Sequence, residues 1–201
     1  NKIPNSRETG VISWNKISSD SQNKKKLGGS EWKLTKTANF SWGTDGKAVY
    51  ADIAKEKQSS IAITDCKPAD GNTAAETTCS APTDGQSIYD VDPVEGQFKL
   101  EGLEWGTYTL VETKAPDGYD VDSTVRTFTF GPTAGTDGTG TWKSNSVASA
   151  TGNTTGKFTT SDVAYNSSVF TFSVNGIKNK PGVVLPGTGG AGDYWIYAAA
   201  L

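Results

Sequence analysis

The sequence predicts an all-β sandwich, and three observations predict it. Apolar and polar residues alternate over many short runs, the period of a half-buried strand. Gly is high at 23 of 201 residues, and Ser and Thr recur between the runs, so turns join them. Helix signals are weak: only residues 47–58 carry one, and they predict a short surface helix. The hydrophobic fraction of 34% is polar for a globular chain, yet 6 Trp, 7 Tyr and 7 Phe are too many for a disordered one. The length is enough for one large domain or two small ones with a real core.

The strands follow in order. Residues 11–17 (Val-Ile-Ser-Trp-Asn-Lys-Ile) alternate, with Ile12, Trp14 and Lys16 on one face. Residues 18–30 are polar, contain Lys24, Lys25 and Lys26, and end near Gly28 and Gly29, which predicts a solvated loop. Residues 31–36 alternate again, with Trp32 and Leu34 on one face. Residues 59–65 predict a short strand and 87–92 a weaker one. Residues 97–100 and 106–113 predict a hairpin-like pair. Residues 124–130 predict a strand, and Gly, Thr, Ser and Asn then dominate to about residue 160, an extended hairpin or a loose insertion. Residues 169–174 are the last strong strand. No internal repeat is present.

Composition excludes several functions. The formal charge is −3, which gives no electrostatic case for nucleic acid or anionic membrane. There are 0 His, so His-based triads, His-containing zinc sites and a histidine pH switch are out. With 2 Cys, a Cys₄ metal site is out as well, and no metal site or cofactor is expected. Cys66 and Cys79 flank a polar loop. A disulfide there implies an oxidising compartment and is worth roughly 3 kcal/mol in the chain-entropy model; the alternative is two free thiols. Asn1 to Thr9 is polar, shows no signal-peptide pattern, and reads as a linker.

Chemistry is concentrated in three places. By parity Tyr108, Leu110 and Glu112 share a face, so a carboxylate continues an apolar row. Lys16 does the same after Ile12 and Trp14. Two opposite ionisable groups are thus expected inside a small β core, where a charge is costly unless paired or neutral. Near the end, Phe170, Phe172 and Val174 share a face, which puts Asn175 on the other. A bulge at Gly176 would reset parity and turn Ile177 and Asn179 inward. The plain reading of Lys16 and Glu112 is a partly buried ion pair.

The Trp14-x-Lys16 strand, the run Leu103-x-x-Gly106-x-Tyr108-x-Leu110-x-Glu112-Thr-x-Ala-Pro-x-Gly118-Tyr119 and the terminal Ile177-x-Asn179 together resemble CnaB-type domains of Gram-positive surface proteins, including SpaA-like pilin domains. The resemblance covers about residues 10–182. It implies an immunoglobulin-like sandwich with neighbouring first and last strands. It also implies an isopeptide bond in which Lys16 is the nucleophile, Asn179 the electrophile and Glu112 the proton shuttle. The chemistry is reasonable: burial favours the neutral, nucleophilic amine, a buried carboxyl can relay protons, and proximity overcomes the inertness of an amide. The family domain is usually smaller, so residues 36–90 and 131–165 read as insertions.

Leu185-Pro186-Gly187-Thr188-Gly189 resembles the LPXTG sorting signal, which sortase, a cysteine transpeptidase, cleaves between Thr and Gly. The apolar run that ends in Leu201 follows it, far short of the ~20 residues that span a bilayer, and reads as the start of a longer membrane segment. The alternative is a Pro-Gly turn before a last strand. The expected organisation is a linker (1–9), a sandwich domain (10–182) and a sorting signal (183–201). The expected role is a structural stalk, not a turnover enzyme, in a pilus subunit or adhesin on the Gram-positive cell wall. Its partners would be sortase and then a peptidoglycan precursor or a neighbouring pilin subunit, with no nucleic acid. The alternative is a module whose insertions bind a host glycan or matrix protein, with Trp42 or Trp142 as a sugar platform. The acids of 90–92 and 117–122 read as turn residues before calcium ligands.

Overall fold

A computed structural model describes residues 9–20, 25–45, 47–130, 163–166 and 171–182. Among the described residues, nine strands build two facing sheets. The first sheet contains β1 (Thr9–Ser18), β5 (Gln97–Glu104), β8 (Val163–Asn166) and β9 (Thr171–Asn179), in the order β5-β1-β9-β8. The second contains β2 (Glu31–Trp42), β3 (Ala48–Asp52), β4 (Ser60–Thr64), β6 (Gly106–Lys114) and β7 (Arg126–Phe130), in the order β3-β2-β6-β7, with β4 also on β2. The all-β sandwich expected from alternation is what forms.

Alternation places the core. Ile12, Trp14, Phe98, Leu100 and Ile177 from the first sheet meet Trp32, Leu34, Ile63, Tyr108, Leu110 and Phe128 from the second. Each comes from every second residue of its strand, so a two-residue period fills the space between the sheets. Trp14 stacks on Phe98 at 4.9 Å, and Trp32 meets both rings edge-on at 5.7 and 6.0 Å. Such edge and offset contacts suit the aromatic quadrupole.

The chain's first and last described strands are neighbours. β1 runs parallel to β9, with Trp14 opposite Val174 and Lys16 opposite Ile177. β9 thus uses one residue more than β1 over this step, a bulge at Gly176, whose φ is +85°. A Cβ there would stand 2.6 Å from Ile17 Cδ1, the movable end of a side chain, so it is the positive φ that calls for glycine.

Three expectations change. Residues 97–100 and 106–113 do not pair as a hairpin: β5 joins β1, whereas β6 joins β2 and β7. Trp105 alone separates them, and the chain crosses between sheets there with the Trp105 ring in the core. Residues 47–58 are not a helix. β3 pairs with the second half of β2, Tyr50 meets Phe40 at 5.5 Å, and only Lys55–Lys57 keeps a single 3-10 turn. Edge pairing outweighs the helix propensity of Ala and Lys. Residues 87–92 form no strand, because the Asp90 side chain takes the neighbouring N–H groups that a ladder would use. Of the stretch 36–90, residues 36–42 continue β2, β3 and β4 extend its edge, and the remainder carries the cysteine loop. The stretch 131–162 lies outside the described residues.

Candidate functional site

Lys16, Glu112 and Asn179 meet between the sheets. Their exposures are 0%, 2% and 1%, so water is excluded from all three. β1 supplies Lys16 because Trp14 and Lys16 share the inward face. β6 supplies Glu112 at the end of the row Tyr108, Leu110, Glu112. β9 supplies Asn179 because the Gly176 bulge turns Ile177 and Asn179 inward together.

Glu112 bridges the other two. Lys16 Nζ lies 2.9 Å from Glu112 Oε1. Asn179 Nδ2 donates to Glu112 Oε1 at 3.1 Å and to Oε2 at 2.9 Å. Lys16 Nζ also donates to Asn179 Oδ1. The ammonium sits 5.0 Å from the centre of the Trp32 ring. Burial pushes the lysine below its ordinary pKa, against the opposing pull of Glu112. The backbone fixes both strand ends: Lys16 N–H donates to Gly96 O at 2.8 Å, and Ser19 N–H to Asn179 O at 2.8 Å.

Two neighbours escape the sequence reading. The Asp122 N–H donates to Glu112 Oε2 at 2.8 Å, from a loop with no periodic signal. Arg126 is buried on β7 and pairs with Asp122. Its signal was available: Arg126 and Phe128 share a face by parity, so a charge again continues an apolar row.

Cys66 and Cys79 form a disulfide, with Cα atoms 5.8 Å apart. The acids of residues 90–92 and 122 serve the backbone. Asp90 accepts from Cys66, Asp92 and Lys99 N–H at 2.9–3.0 Å, and Asp92 and Asp122 accept from Val94 and Thr124. No group of three or more potential metal ligands occurs among the described residues. Trp42 is 48% exposed, edge-on to Phe40 at 5.1 Å. Trp142 and the motif Leu185, Pro186, Gly187, Thr188, Gly189 lie outside the described residues, as do the side chain of Asn175 and residues 1–8.

Residues 10–146 match the family described as SpaA, prealbumin-like fold domain. The chain belongs to the SpaA prealbumin-like fold domain family. The match includes Lys16 and Glu112 and stops short of β9. No curated protein matches. Among solved structures, this SpaA-family chain is similar to the pilus 2b backbone protein of group B streptococcus (19% identity, TM-score 0.37, 87% of this chain and 42% of that one). It is also similar to a C-terminal fragment of the pilus adhesin SpaC from Lactobacillus rhamnosus GG (20%, TM-score 0.38, 90% and 48%). A third is the shaft pilin SpaA of the same organism (16%, TM-score 0.36, 89% and 49%). The chain spans less than half the length of each.

Proposed function

We propose that residues 10–182 are a structural stalk domain of a Gram-positive pilus subunit or surface adhesin, stapled by an isopeptide bond between Lys16 and Asn179. In the reaction Lys16 Nζ, as the neutral amine, attacks Asn179 Cγ. The Nζ–Cγ bond forms, the Cγ–Nδ2 bond breaks, and Nδ2 leaves as ammonia. Glu112 takes a proton from the attacking nitrogen and delivers one to the leaving nitrogen. The observation that carries this reading is that Glu112 Oε1 lies within hydrogen-bond distance of both nitrogens, at 2.9 and 3.1 Å. Enclosure by Trp32 and the core excludes water and favours the neutral amine. The reaction runs once per chain and leaves a structural protein.

The bond would join two parallel neighbouring strands. A pull on both chain ends would pass through residues 9–16, the bond and the residues after 179. The sandwich between would carry no load. In the chain-entropy model, closing so long a loop is worth roughly 5 kcal/mol. The Leu185–Gly189 motif supports attachment by sortase, with cleavage between Thr188 and Gly189, and hence a place on the cell wall or in a pilus. A peptidoglycan precursor or a neighbouring subunit would then be the acceptor.

The test is intact mass of the reduced protein. Wild type is expected to be lighter than its sequence mass by one ammonia, and Glu112→Ala to keep the full mass. An unshifted wild type sinks the bond. Peptide mapping identifies the linked asparagine, and a linkage through Asn175 sinks the assignment to Asn179. A second reading, a host-glycan module, rests on exposed Trp42; its test is a glycan array of wild type against Trp42→Ala, where equal silence removes it.

A further inference from the structure

The loop between β6 and β7 touches the site twice. Asp120 N–H donates to Lys180 O at 3.0 Å, and Gly182 N–H to Gly118 O at 2.8 Å, so the loop grips the chain just beyond Asn179. Two residues further on, Asp122 N–H donates to Glu112 Oε2. The loop would be free to drift were its turn not anchored. The anchor is the Asp122 carboxylate, which accepts from Thr124 N–H at 3.1 Å and from the Arg126 guanidinium. Arg126 also donates to Thr124 O at 3.3 Å and is 7% exposed.

We propose that Asp122 and Arg126 are a positioning pair for the isopeptide reaction: Arg126 clamps Asp122 so that the Asp122 N–H aims Glu112 at the two reacting nitrogens, and the pair sets the field at Lys16. This rests on the reading of Lys16, Glu112 and Asn179 given above. Asp122 engages Oε2, which also accepts from Asn179 Nδ2 at 2.9 Å, and Oε1 faces both Lys16 and Asn179, so fixing Oε2 fixes the orientation of the whole carboxylate. The charged groups acting on Lys16 are Glu112 from β6, Asp122 from the loop and Arg126 from β7. Burial is the largest influence and lowers the lysine pKa. Glu112 opposes it, Arg126 adds to the lowering, and Asp122 opposes it. Asp122 itself is buried at a cost, which the Thr124 and Arg126 hydrogen bonds and the Arg126 charge outweigh.

The two members therefore act on the lysine with opposite sign. Arg126→Met removes a cation and uncovers an anion, so Lys16 holds its proton to higher pH. Asp122→Asn removes the anion and keeps the backbone N–H, so Lys16 releases its proton at lower pH. Arg126→Lys keeps the charge and loses the forked geometry.

The experiment refolds full-length chain from inclusion bodies over a series of pH values and follows ammonia loss by intact mass. Near-UV circular dichroism monitors folding of each variant. Expected for Arg126→Met is a rate about tenfold lower or more, with its rise with pH displaced upward. Asp122→Asn should displace the rise downward, and Arg126→Lys should return it near the wild-type position. Wild-type rates and profiles in all three variants overturn the pair, as do slower rates with an undisplaced profile, which mark a purely structural role. If Arg126→Met does not fold, the other two variants decide: a downward displacement for Asp122→Asn with Arg126→Lys near the wild-type position upholds the pair, and wild-type profiles in both overturn it. Wild type that loses no ammonia overturns the bond itself, a failure distinct from that of the pair.

Discussion

Two regions of this small core bury carboxylates, and they do so differently. Around Glu112 the partners are two side chains, a lysine and an asparagine carboxamide, and one backbone N–H. Around Asp90 the partners are three backbone N–H groups, from Cys66, Asp92 and Lys99. Asp65 resembles Asp90, taking N–H from Gly29 and Gly96. A carboxylate served by backbone holds loops in place, here the loop that Cys66 and Cys79 close. A carboxylate served by two side-chain nitrogens is placed as the proposed isopeptide reaction requires. Burial alone does not separate the two, since Glu112 and Asp90 are both 2% exposed. The partners do.

The largest effect should come from breaking the side-chain cluster. Glu112→Ala leaves Lys16 buried without its carboxylate, which costs about 3–5 kcal/mol, and removes the proposed proton relay. Thermal melting together with intact mass checks both, and a melt within a degree or so of wild type would show that the cluster does not hold the sandwich.

The covalent side of the comparison comes next. Cys66→Ser with Cys79→Ser opens a local loop, thirteen residues in sequence separation, and should cost roughly 3 kcal/mol or less. The mass shift of ammonia loss should persist, because the two sites share no partner. Its disappearance would mean that the two regions are coupled.

A smaller cost is expected at the bulge. Gly176→Ala meets both a positive φ and the Ile17 side chain, for about 1–2 kcal/mol. Its sharper signature is slower ammonia loss, since Asn179 depends on the bulge for its direction.

A further effect is the pH dependence set by the backbone-served carboxylate, Asp90. Burial pushes Asp90 up to about 6 despite its backbone donors. A folded value above the ordinary one of 3.8 means that this group favours folding at low pH, and that the contribution is lost as pH rises through about 6. The melting temperature of wild type should therefore fall relative to Asp90→Asn between about pH 4 and 7. Parallel pH curves for the two proteins would refute the role given to Asp90.

What the chain's own residues determined is the inward set. Pleating is local, so Trp14 with Lys16, Tyr108 with Leu110 and Glu112, and Ile177 with Asn179 past a glycine bulge could be placed by counting in twos. The Arg126–Phe128 pair was equally countable. Tertiary structure alone decided which strands are partners. β5 and β6 follow one another in sequence yet lie in different sheets, residues 48–52 became an edge strand because β2 offered one, and the loop after β6 reached across to Glu112 and Lys180. Side-chain direction follows from the period of a single strand, whereas hydrogen-bond partnership depends on which free edge or carboxylate stands opposite, and no local pattern records that.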